Sequence, residues 1–231
     1  GRLRAEPLLF AAALDGLYLA KSAMAPAVAV LLIGYLLMER RAARRLLVAA
    51  LVVAAPVGWA VYQYHSSGRY SIGTSLDGMN LHKGNNTSFL VHYPPAPGNS
   101  LDSSDPSLNR GLHFNDEWSF NDYHLHAALG YLRHHPRATA VGDWRKLDVL
   151  LFSVDKVGST RLRGAEQMWE IAGLVLFRLM LWVAIIYAAY AAFRPAKSAA
   201  LPQHWIGWIF LALTAACIFP YVAGFAYTRH V

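Results

Sequence analysis

Hydrophobic and polar positions along the chain sort into long blocks rather than short repeats. Residues 8–38, 46–64, 171–193 and 205–227 hold very few charges, while the hundred or so residues between the second and third blocks are of ordinary polarity. About 20 apolar residues carry a helix across a hydrocarbon core of ~30 Å. The last three blocks meet that length. The first is too long for one helix without strong tilt, and Asp15 and Lys21-Ser22 interrupt it, so two short helices turning between Asp15 and Ser22 are predicted. Pro26 falls in the first turn of the second, where a missing amide donor costs least. The pattern predicts an α-helical integral membrane bundle, residues 1–64 and 168–231, with a water-facing domain over residues 65–167.

Charge then orients the bundle. Arg40, Arg41, Arg44 and Arg45 crowd the connection 39–45, and Arg194 and Lys197 follow the third block. Short basic connections stay cytoplasmic, which puts the insert outside the cytoplasm, and Trp59, Tyr62 and Tyr64 read as an interfacial aromatic cluster. The insert is itself neutral, with ten Lys and Arg against ten Asp and Glu. The net charge of +7 therefore reflects anchoring at span ends and does not form a nucleic-acid stripe. Only 15% of residues are charged, against about a quarter in soluble domains. One cysteine, Cys217, excludes a disulfide within the chain. Both ends read as cut, so a piece of a larger membrane protein, lacking its N-terminal half, is expected.

Within the insert, residues 71–86 carry Gly73, Gly78 and Gly84 and end in Asn85-Asn86. Glycine and asparagine suit positive-φ turns, and Met79-Asn80-Leu81-His82 alternates, so strand, turn and strand are predicted there. Helices are predicted over 118–131, with Ser119 as cap and Tyr123, Ala127 and Tyr131 on one face, and over 139–154, with Trp144, Leu147, Leu151 and Phe152 as its apolar face and Lys146 beside it. The insert is therefore expected to be mixed α/β. Residues 93–110 read as an irregular loop. Asn85-Asn86-Thr87 and Asn86-Thr87-Ser88 fit the glycosylation acceptor pattern.

Eight of the ten histidines lie in the insert. His124 and His126 point apart on a helix, and no His-Glu-x-x-His pattern or spaced carboxylate triplet is present, so no metal site is assigned. A Ser-His-Asp hydrolase lacks its elbow, and no glycine-rich phosphate loop precedes a Lys-Ser or Lys-Thr pair. Arg178 stands about 10 Å along the third apolar block. A charge at that depth snorkels, pairs or faces an anion.

Three stretches are similar to the C-terminal part of bacterial GT-C membrane glycosyltransferases, the dolichyl-phosphate-mannose mannosyltransferase and lipid A aminoarabinose transferase superfamily. They are Gly16-Leu17-Tyr18-Leu19-Ala20-Lys21, which lacks the second glycine of the family stretch, then Gly78-Met79-Asn80-Leu81-His82-Lys83-Gly84-Asn85-Asn86, and Ala128 to Pro136 with Lys146-Leu147. The resemblance implies sugar transfer from a polyprenyl-phosphate donor at the outer face of a bacterial inner membrane. It implies a catalytic carboxylate in the missing N-terminal half, where any divalent metal would also bind, and no cofactor in this chain. An inverting transfer needs a base near the acceptor and cations on the departing phosphate. For the phosphate the candidates are Lys21, Lys83 and Arg178; for the sugar, Asn80, His82, Asn85 and Asn86. A membrane protein whose insert binds a partner without catalysis, and a transporter subunit, are the alternatives.

Overall fold

The computed structural model describes residues 5–93, 113–152, 165–193 and 203–224. All regular structure among them is helical. In chain order the helices are α1 (Glu6–Ala20), a 3-10 turn (Ser22–Met24), α2 (Ala25–Met38), α3 (Ala42–Ser67), α4 (Asp77–Gly84), α5 (Phe89–His92), α6 (Glu117–His134), α7 (Pro136–Phe152), α8 (Ala165–Phe193) and α9 (Gln203–Ala223). Three stretches are long and apolar enough to cross a membrane: Ala42–Ser67, Ile171–Phe193 and Trp205–Ala223. Their side chains are left mostly uncovered by the chain, as lipid-facing surfaces must be. The protein is an integral membrane protein.

Residues group into two compact units. One comprises Gly1–Thr74 with Tyr187–Cys217, the other Ser75–Ile186 with Ile218–Val231. In the first, α1 lies against α3, and Ala11, Leu14, Tyr18, Val28, Val48 and Val52 form its core. The chain breaks between α1 and α2 at Lys21, whose backbone is extended (φ −158°, ψ 107°). Phe10 stacks on Tyr35 at 4.9 Å. The Tyr18 hydroxyl donates to the carbonyl of Ile72, and Trp59 Nε1 donates to that of Gly73 at 3.4 Å, tying the segment after α3 back to the helices. Small residues set the closest approach, since a Cβ on Gly207 would fall 2.5 Å from the Ala188 oxygen and 2.6 Å from the Ala192 nitrogen. Membrane helices gain van der Waals contact this way, without a hydrophobic force between them.

The second unit is built on α4 packed against α6, with α5 and α7 completing it. It overturns the mixed α/β insert. No strand occurs among the described residues, and Met79-Asn80-Leu81-His82 lies inside α4. Four alternating residues fit one helical turn with two buried positions as well as they fit a strand, and here Met79 and His82 are the buried pair. Nor do Gly73, Gly78 and Gly84 supply positive-φ turns: among the described residues only Gly68, the C-cap of α3, has positive φ, at 72°. Gly78 instead permits contact, because its missing Cβ would sit 2.3 Å from the Asn121 carbonyl oxygen. The GT-C resemblance falls with the sheet, since the α/β extracytoplasmic domain it implies is replaced by helices.

Candidate functional site

The best-defined polar constellation is buried in the second unit, where α4, α6, α7 and the end of α9 meet. Asp116 caps α6, its Oδ1 accepting from Ser119 N at 2.7 Å and Ser119 Oγ at 2.8 Å. That start fixes the helix so that Asn121, His124 and Ala128, at i, i+3 and i+7, face inward. Gly78 N donates to Asn121 Oδ1 at 2.7 Å, and one turn on His82 and His124 meet Nδ1 to Nδ1 at 2.8 Å. One imidazole must donate and the other accept, so one ring of the pair carries its proton on Nδ1 and the other does not. Phe120 and Tyr123 pack edge-on against the His124 ring.

The C-terminal end of α4 continues the network. Asn85 Nδ2 donates to Leu81 O at 2.8 Å and to Ala223 O at 2.7 Å. Asn86 Nδ2 donates to His82 O at 2.9 Å and Lys83 O at 3.2 Å, while its Oδ1 accepts from Ser88 N. Helices leave their last four carbonyls without partners, and these side-chain amides fill that role for α4 and for the end of α9.

Lys146 on α7 closes the network and is fully buried. Its Nζ pairs with Asp143 at 2.8 Å and donates to Gly84 O at 3.3 Å and Gly224 O at 3.2 Å, with the Phe89 ring 5.2 Å away. Burial pulls its ammonium below the usual lysine range, and Asp143 partly opposes that shift. The apolar face predicted for this helix is therefore misplaced. Trp144 is 67% exposed, and the buried stripe is Gly142, Lys146, Val149 and Leu150. On α6, likewise, Tyr123 is exposed, and two of the inward positions, Asn121 and His124, are polar.

The predicted site residues separate. His82, Asn85 and Asn86 come together, but buried, with both amide groups donating to backbone carbonyls; they neither offer a sugar a free face nor expose a glycosylation acceptor. Asn80 lies on the exposed side of α4, and Lys83 is half-buried at its last turn. Lys21 is exposed in the other unit. Arg178 is 5% exposed, and its Nε and both Nη atoms are buried without a hydrogen-bond partner among the described residues. Among the described residues no three His, Cys, Asp or Glu side chains converge as metal ligands. The loop predicted over 93–110 lies, apart from Tyr93, outside the described residues, as do Arg194 and Lys197. Lys146, His124 and Asn121 were not singled out as site residues, although Asp143 three residues before Lys146 is a sequence signal for a paired lysine.

No family model, curated protein or solved structure matches the chain.

Proposed function

We propose that the chain binds the phosphate of a polyprenyl-phosphate-linked sugar at the non-cytoplasmic face of the membrane, as part of a machinery that transfers the sugar. One observation carries this: Arg178, in a membrane-spanning segment, has a buried guanidinium without an acceptor among the described residues. A buried polar group without partners costs free energy that any matching anion recovers, and an ionisable residue at this depth is a site by default. Phosphate offers the fork geometry that a guanidinium suits. The arginines of 39–45 support placing the insert outside the cytoplasm.

The test is polyprenyl-phosphate titrated into the full chain in nanodiscs, beside an Arg178→Met variant. The variant is expected to melt higher than the parent without lipid, because the orphan charge is gone, and to bind polyprenyl-phosphate at least ~10-fold more weakly. Equal binding by the two proteins refutes the assignment.

A second reading, partner binding without catalysis, is favoured by the internal use of Asn85 and Asn86, which leaves Asn80 as the exposed member of the predicted sugar ligands. Turnover of a labelled polyprenyl-phosphate sugar separates the two. Phosphate-dependent binding with no sugar release selects the non-catalytic reading.

A further inference from the structure

An open groove of about 440 Å3 lies where α4 and α6 begin, lined by Ser75, Leu76, Phe114, Glu117 and Phe120. Small-molecule pockets run from ~300 to ~1,000 Å3. Phe114 and Phe120 stand at 87° with centroids 5.2 Å apart, which gives the groove an aromatic corner, and Leu76 adds an apolar surface that is 56% exposed. Glu117 is the one ionisable residue of the lining among the described residues. Ser75 Oγ donates to its Oε2 at 2.8 Å, which fixes the carboxylate in the groove and engages one of its two oxygens. The neighbouring Asp116 is occupied as the cap of α6.

This combination selects by charge. An anion meets the carboxylate and is repelled. A cation with an apolar skin satisfies the carboxylate and the negative faces of the rings together, as in the recognition of organic ammonium ions. We propose that the groove binds an organic ammonium group, from either a free amine or the headgroup of an amine-bearing lipid. The proposal does not depend on Arg178, and the failure of either leaves the other standing.

Choline is the probe, titrated into the full chain in phosphatidylglycerol nanodiscs, against its uncharged isostere in which carbon replaces the ammonium nitrogen. Choline is expected to bind roughly tenfold tighter than the isostere, and Glu117→Gln to abolish that preference while the helical circular dichroism is unchanged. Ser75→Ala, which frees the carboxylate without removing it, is expected to reduce the preference and serves as the readout if Glu117→Gln does not fold. Repetition in phosphatidylcholine nanodiscs distinguishes the sources: a weaker apparent choline affinity there marks the lipid headgroup as the occupant, an unchanged one a free amine. Equal binding of choline and isostere, or a preference that survives both substitutions, overturns the proposal. So does tighter binding of neutral sugars than of choline.

Discussion

The ion pair on α7 makes an asymmetric prediction, because its two members are buried to different extents. Lys146 has a side chain with no exposure, whereas the Asp143 side chain is 36% exposed. Asp143→Leu leaves an ammonium in the interior with only the Gly84 and Gly224 carbonyls to answer it, and stranding one partner of a buried pair costs about 3–5 kcal/mol. Lys146→Met strands a carboxylate whose side chain is partly exposed, although its pairing oxygen Oδ1 is buried, so water answers it better than it would the ammonium and the rest of the cost lies in the two carbonyls. Each buried acceptor left unmade costs ~1–3 kcal/mol, and removal of the ammonium's own desolvation offsets part of that, giving a net loss of about 1–2 kcal/mol. The double variant then resembles Lys146→Met alone, since the stranded charge is gone. For a chain of this size ~1 kcal/mol moves the melting temperature by about 2–4 °C. Thermal melts in detergent, followed by far-UV circular dichroism, should rank the proteins parent, Lys146→Met with the double variant, then Asp143→Leu, the last about 6–20 °C below the parent. A Lys146→Met protein less stable than Asp143→Leu, or a double variant no better than Asp143→Leu, refutes the reasoning.

The same lysine sets a pH dependence. Its folded pKa is lowered by burial, so as pH rises toward the unfolded value of about 10.4 the folded protein loses its proton first. The unfolded state then binds more protons and stability rises with pH; a melting temperature that climbs as pH approaches about 10.4 in the parent and stays flat in Lys146→Met, relative to each other, is the expected result. Gly78→Ala places a methyl 2.3 Å from the Asn121 oxygen and 2.9 Å from the Leu125 nitrogen, both backbone atoms that cannot rotate away. Separation of α4 from α6 at a cost of about 3 kcal/mol, the upper end of ordinary overpacking, should appear as faster hydrogen exchange over residues 117–134.

How much of this was legible in the residues differs between the two phases. Spans reveal themselves through composition, so Ile171–Phe193 is apolar whichever way it packs. The insert misleads because polar side chains share its buried positions with apolar ones. Hydrophobic periodicity locates the buried face of a helix only where that face is apolar. On α7 the inward positions include Lys146 while Trp144 points outward, and on α6 they include Asn121 and His124. The glycine-rich stretch misled for a related reason. Gly78 is required by a neighbour 43 residues away, and no local rule distinguishes that need from a turn. Arg178 is conspicuous in sequence because its neighbours are apolar; that its nitrogens lack acceptors among the described residues shows only in the fold.

The clasp on the end of α9 has a consequence for the order of events during synthesis. Asn85 and Lys146 hold the Ala223 and Gly224 carbonyls, which leave the ribosome long after the helices that grip them. Until those residues arrive, a lysine ammonium and an asparagine amide wait half-satisfied inside the nascent domain. Termination before Gly224 would thus injure a region already made, and the helices of the second unit reach their final state only when the end of α9 is in place.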